Sequence, residues 1–332
     1  MLYELIEPYA SVSTIGICKN AGKTTVLNGL IGACNKHGET IGLTSIGRDG
    51  ERSDLVTNTK KPEIHVHCGT LFATAEKAIP LGTVSREILD VTPYGTPMGD
   101  VVLIRAMSDG FIQIAGPSIS TQLACIRDML FSYGAKRVFL DGALGRRSLA
   151  VPSVSEALIL SSGASYSPDM AKTVSDTAYC ARIMSLPRTG YDMNGIEKKF
   201  SLIENGEILG FSELTEALDE LRKKTYSALV LRGGITDAAA SQLLSLGKLK
   251  KETELIVEDG SKLLLCKSNF DKLGLAGFRF RVIKMTKLLA VTVNPFSAYG
   301  NHYDKNAFYD AVSEELPEWV KVINVFEEEG IC

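Results

Sequence analysis

The sequence predicts an α/β protein built on a mostly parallel sheet with a second α/β region. Short apolar runs alternate with amphipathic helical segments along almost the whole chain, the pattern of repeated βα units. The first of these units has a loop of small and polar residues between its strand and its helix. The 332-residue chain is 45% hydrophobic and 23% charged, an ordinary globular balance at a length sufficient for two domains.

Taken in order, an apolar strand ends near Gly16, and a helix begins near Lys23 with Val26, Leu27, Leu30 and Ile31 at helical spacing. A second strand follows at 40–46 and stops in Gly47-Arg48-Asp49-Gly50-Glu51. The stretch 60–79 reads as a short strand followed by a helix, and the runs at 101–106 and 111–116 read as strands. Leu123, Ile126, Arg127 and Leu130 mark a helix over 120–133, which leads directly into a strand that ends at Asp141-Gly142. Another strand is expected at 155–161 and a helix at about 167–184. The polar stretch 187–199 then suggests a division into a first domain, 1–188, and a C-terminal α/β domain, 189–332. In the latter, helices are expected at 213–223, 235–247 and 304–316, with strands around 226–233, 254–259, 278–284, 288–295 and 321–325.

The most informative segment is Cys18-Lys19-Asn20-Ala21-Gly22-Lys23-Thr24-Thr25. In the Walker A pattern G-x-x-x-x-G-K-[ST], backbone N–H groups face phosphate oxygens, the lysine reaches the β- and γ-phosphates, and the hydroxyl takes Mg²⁺. Gly22, Lys23 and Thr24 fit this pattern, and the helix they start supplies a positive dipole end. Lys19, Asn20, Ala21, Gly22, Lys23, Thr24 and Thr25 are therefore the expected nucleotide-binding residues. The departure lies at the first glycine: position 17 is Ile17, and Gly16 stands one place early. The bland alternative is a helix start capped by threonine.

On these residues the chain resembles the P-loop NTPase superfamily, over about the first half of its length. Within it, the wording of residues 15–25 followed by 45–51 is similar to ATP-using small-molecule enzymes and cofactor-maturation ATPases. Mur-type ligases share the non-glycine at the first loop position, but their other signatures are missing here. The chain also resembles, more faintly, accessory proteins of adenosylcobalamin-dependent amino-acid aminomutases. The resemblance implies a P-loop NTPase-like first domain that uses ATP and Mg²⁺.

Asp141, at the end of its apolar strand, is the expected second metal-holding group beside Thr24, and Lys23, Asp49 and Asp141 form the expected catalytic set. Arg48 would neutralise developing phosphoryl charge, and Arg146 and Arg147 either reach phosphate or are solvated loop charges. Asp109-Gly110 reads mainly as a tight turn. His65, His67 and Cys68 invite a metal reading, but on a strand Cys68 faces away from the two histidines, and the chain has only four histidines and no C-x₂-C pair. The start at Arg232-Gly233-Gly234-Ile235-Thr236-Asp237 either binds an anion or is capped by Thr236. Tyr299, Asn301, His302 and Tyr303 form a polar-aromatic loop that faces a ligand or the solvent.

The net charge of −3 gives no general attraction to nucleic acid or anionic membrane, and no apolar run is long enough to span a bilayer. Seven scattered cysteines and an acidic N-terminus fit a cytoplasmic protein. Three functions are compatible with these residues: an ATPase that assists or reactivates a partner cofactor enzyme and forms a homodimer, a kinase or ligase acting on a small molecule, or a nucleotide sensor without turnover. ATP is favoured over GTP because no N-K-x-D element is suitably placed.

Overall fold

The computed structural model describes residues 2–47, 63–143 and 152–324. Seven strands lie parallel, in the spatial order β18 (Lys321–Asn324), β17 (Lys287–Asn294), β9 (Ala157–Gly163), β1 (Ser11–Gly16), β8 (Arg137–Ala143), β2 (Ile41–Ser45) and β4 (Leu71–Ala75). An antiparallel hairpin, β6 (Gly99–Ala106) and β5 (Arg86–Thr96), completes this nine-stranded sheet. A small antiparallel pair, β3 (Ile64–Val66) and β7 (Gly110–Ile112), belongs to the same part of the chain. The central strands β1, β2 and β9 are buried along their whole length, as expected of parallel strands covered on both faces. Alternation therefore disappears in these strands, and they read as continuous apolar or small-residue runs.

Helix α1 (Leu2–Ile6) precedes β1, and α2 (Lys23–Lys36) crosses from β1 to β2. Val26, Leu27, Leu30, Ile31 and Cys34 of α2 pack on Val12, Leu43, Phe139 and Ile159 in one apolar cluster. Helices α3 (Ser120–Ser132) and α8 (Lys305–Glu315) precede β8 and β18. A β-carbon on Gly42 would stand 3.1 Å from Leu130 of α3, so the strand–helix contact on that side is already close.

The chain divides into two compact units, one of residues 1–181 with 287–332 and one of residues 182–286. Strand β17 pairs with β9, and β18 pairs with β17, so residues grouped at the sequence level with a C-terminal domain extend the first sheet. The boundary at 188 anticipated from polar composition lies inside the second unit, because α4 (Met170–Met184) ends just ahead of it.

The second unit has its own sheet, β11 (Glu207–Phe211), β10 (Phe200–Glu204), β12 (Ala228–Leu231), β14 (Thr253–Val257) and β16 (Phe278–Val282), the last three parallel. Helices α5 (Leu214–Lys223), α6 (Asp237–Leu244) and α7 (Lys267–Ala276) and the short pair β13 (Ile235–Thr236) and β15 (Leu263–Leu264) accompany it. Its hairpin turns at Asn205 and Gly206, both at positive φ, the conformation that Asn-Gly turns favour.

The stretch 60–79 differs from expectation. After β3 it forms the buried strand β4 and then a short 3₁₀ turn over Glu76–Leu81, with no α-helix. Leu71, Phe72 and Ala73 are each fully enclosed between layers, and a short apolar run of this kind has no periodicity that separates strand from helix. The run at 111–116 contributes only its first two residues to a strand.

A buried charge cluster ties the start of the chain to the sheet. Arg137, the first residue of β8, donates through Nε to Glu39 Oε2 at 3.1 Å and through Nη1 to the carbonyls of Ile6 and Tyr9. Lys136 and the Tyr3 hydroxyl bind the other oxygen of Glu39 at 2.8 and 2.7 Å. Tyr3 also stacks on His37. These donors hold the Glu39 carboxyl down at about 2, against the opposing effect of burial.

Removing one member of this cluster leaves the other charge buried, so Arg137→Ala is expected to destabilise the first unit by about 3–5 kcal/mol. Because the folded value lies below the unfolded carboxylate value of roughly 4.3, Glu39 stabilises above that pH. The contribution is lost as pH falls from there through about 2. Acid unfolding followed by circular dichroism should therefore be steeper between those limits for wild type than for Glu39→Gln.

Candidate functional site

The loop that follows β1 lies at the C-terminal ends of the central strands, where open parallel sheets bind ligands. Left-handed backbone at Asn20 (φ 60°) and Gly22 (φ 96°) turns the chain sharply into α2. Turns of this type bring successive N–H groups to one concave side. The Val26 N–H closes the first helical turn on the Gly22 carbonyl. The amide hydrogens of Lys23, Thr24 and Thr25 have no backbone acceptor among the described residues, and no side chain caps this end of the helix. The alternative of a threonine-capped start is therefore not what the loop adopts.

Lys23 folds back across the strand end. Its Nζ lies 3.4 Å from the Cys18 carbonyl, and a β-carbon on Gly16 would come within 2.9 Å of the lysine Cγ and Cδ. The glycine one place early in the motif thus has a physical role: its missing side chain is the space that the lysine occupies. Ile17 is nearly buried and its N–H donates to the Ser161 carbonyl of β9, so it anchors the loop from beneath. Burial raises the Cys18 thiol to about 11 despite the nearby Lys23 charge, which leaves it protonated and poorly nucleophilic at neutral pH.

Asp141 lies opposite Thr14 of β1 and Ser45 of β2 in the parallel register, on the face that α2 covers. Its Oδ1 is shielded from solvent and has no hydrogen-bond partner among the described residues, and the same holds for the Thr14 hydroxyl. The two side chains are neighbours, but the geometry does not close a hydrogen bond between them. Burial pushes the Asp141 carboxyl above its ordinary range, opposed by the Lys23 charge and the Gly142 N–H. An orphaned buried oxygen of this kind costs about 1–3 kcal/mol, and a hard cation or its bound water would satisfy it.

Lys19, Asn20, Ala21, Gly22, Lys23, Thr24, Thr25 and Asp141 are thus gathered at one end of β1 and β8. Asp49, Arg48, Gly50, Glu51, Arg146 and Arg147 lie outside the described residues. Residues that the sequence reading left aside also meet the loop. The Asn294 side-chain amide donates to the Asn20 carbonyl at 3.4 Å, and a β-carbon on Gly163 would stand 3.3 Å from the Ala21 Cα. Only the position of Asn294 at the end of an apolar run hinted at this.

The remaining candidates resolve locally. His67 pairs with Asp109 at 3.3 Å, and the Cys68 N–H donates to the same carboxylate. No group of three or more His, Cys, Asp or Glu that could hold a metal occurs among the described residues. Asp109 ends the three-residue bend between β6 and β7, and Gly110 is the first residue of β7. Thr236 caps α6 by accepting the Ala239 N–H. No helix among the described residues is long and apolar enough to cross a membrane.

Gly16→Ala should displace Lys23 while leaving the strand backbone undisturbed. Phosphate-ligand affinity measured by calorimetry is expected to fall by about tenfold, on the scale of one lost charge-assisted hydrogen bond, with the melting temperature unchanged. An unchanged affinity would mean that the lysine position seen here is not the one used for binding.

No family model matches the chain, and neither a curated protein nor a solved structure does.

Proposed function

We propose that the protein binds ATP with Mg²⁺ on the loop between β1 and α2 and hydrolyses it in the cytoplasm to assist or reactivate a partner enzyme that carries a cofactor. The observation that carries the nucleotide reading is Lys23 folded over Gly16 beside the unpartnered Oδ1 of Asp141, at a helix start whose first amide hydrogens are unclaimed. Cationic side chain, oriented amides and a buried carboxylate oxygen converge there. A polyphosphate with its cation satisfies all three at once.

The residues fit a magnesium ion: Mg²⁺ takes oxygen ligands and keeps several waters, and Thr24 and Asp141 offer one oxygen each. When bound, the ion supplies charge neutralisation across the β- and γ-phosphates. The chain's own groups do the rest. Lys23 stabilises charge on the phosphate oxygens, the amides of Gly22 to Thr25 orient them, and the apolar cluster beneath excludes water from that side. The partner-enzyme role and the P-loop NTPase assignment rest on the sequence resemblance. A kinase or ligase acting on a small molecule uses the same phosphate site, and a sensor uses it without turnover.

Purified protein with Mg²⁺ should bind and slowly hydrolyse ATP in preference to GTP. Lys23→Ala is expected to reduce turnover by on the order of 10²–10³-fold, and Asp141→Asn to raise the Mg²⁺ concentration needed. If wild-type protein binds neither nucleotide in calorimetry, the proposal fails. Stimulation of hydrolysis by small acids or amines, in place of a cofactor enzyme, would shift the assignment to a transferase or ligase.

A further inference from the structure

The segment 294–303 follows β17 at the same end of the sheet as the phosphate loop, and an unusually dense set of hydrogen bonds holds it. The Asn294 carboxamide bridges two elements, donating to the Asn20 carbonyl and accepting the Phe296 N–H. The Asn301 amide donates to the carbonyls of Ala164 and Ser167 in the segment after β9, at 2.9 and 3.3 Å. Ser297 accepts the Tyr299 N–H and donates to Asn301 Oδ1, and its own N–H donates to His302 Nδ1 at 3.0 Å. The backbone has therefore been fixed at considerable cost in conformational freedom.

The fixed loop presents aromatic surface to solvent. Phe296 is 51% exposed and Tyr299 55% exposed. A single exposed ring needs no explanation. Two rings on one immobilised loop, tied by Asn294 to the phosphate loop itself, do. Phe296 is only two residues from Asn294, so its Cα lies within about 7 Å of the asparagine Cα. That places the ring within reach of a nucleotide's far end once its phosphates occupy the loop. His302 meets Phe296 edge to face, with centroids 5.6 Å apart. Because His302 Nδ1 accepts the Ser297 N–H, the neutral ring carries its proton on Nε2, on its opposite edge, as a donor.

We propose that this loop is the nucleobase subsite: the base stacks on Phe296, and His302 Nε2 donates to an acceptor nitrogen or oxygen on its edge. This rests on the phosphate-binding reading above and adds the group that distinguishes a nucleotide from a bare polyphosphate. Aromatic side chains recognise any base through its π face, so Phe296 contributes affinity, whereas His302 contributes the choice of edge.

The test compares MgATP with Mg²⁺-inorganic tripolyphosphate, which has the phosphates without a base, by calorimetry on the full chain. Wild type should bind ATP more tightly than tripolyphosphate. Phe296→Ala should weaken ATP by about tenfold or more, the range for one lost base–aromatic stack, and leave tripolyphosphate affinity unchanged. His302→Ala should weaken ATP less and likewise spare tripolyphosphate. Since Phe296 is half exposed, its replacement should preserve the melting temperature. Equal wild-type affinity for both ligands, or unchanged ATP binding by Phe296→Ala, would overturn the base subsite while leaving the phosphate loop standing. Equal losses for both ligands would also overturn it, by making the change a general one. If wild type binds neither ligand, the phosphate reading falls and this one falls with it.

Discussion

The parallel register of β1 with β8 is the constraint on which the site depends. Arg137, at the start of β8, is pinned through Glu39 and through the carbonyls of residues 6 and 9, immediately ahead of β1. Four residues later, about 13 Å along a strand, Asp141 arrives opposite Thr14. Side chains alternate across a strand, so a slip of one residue would turn Asp141 to the other face of the sheet and away from Lys23. The buried cluster and Asp141 thus lie at opposite ends of the same strand, four residues apart. A buried ion pair contributes little net stability against an apolar replacement, whereas removing one partner is costly.

Above that alignment, the protein places polar groups where its apolar layer ends. Val12 and Phe139 belong to the cluster under α2, and the next residues on the same face, Thr14 and Asp141, have oxygens with no partner. Gly16 then ends the row with no side chain at all, and Lys23 fills the space. On β1 the progression from hydrocarbon at Val12 through the hydroxyl of Thr14 to Gly16 takes only five residues. It leaves two buried oxygens, on Thr14 and Asp141, without hydrogen-bond partners among the described residues.

The turn at 18–25 was legible because it needs backbone geometry that few residue types provide, with Asn20 and Gly22 at positive φ. Asp141 was legible for a related reason, as an acidic residue at the abrupt end of an apolar run. The helix α2 could be read from Val26, Leu27, Leu30 and Ile31, whose spacing is imposed by one buried face. Leu71 to Ala75 were expected to be helical and form a strand instead, because a strand buried on both faces loses the alternation that would mark it. Strands β10 and β11 and their Asn205-Gly206 turn, which follow the polar stretch 187–199, were not anticipated, although Asn-Gly is a hairpin signal.

By itself the sequence determined the α/β class of fold and the tight turn between β1 and α2, since both are local matters of periodicity and backbone conformation. Tertiary structure alone decided which strands are neighbours. It returned residues 287–324 to the first sheet, set Asn294 against Asn20, and gave Gly16 its purpose through a lysine seven residues away. Those relations depend on register and on close approach between segments far apart in the chain, and no pattern within a single segment encodes either.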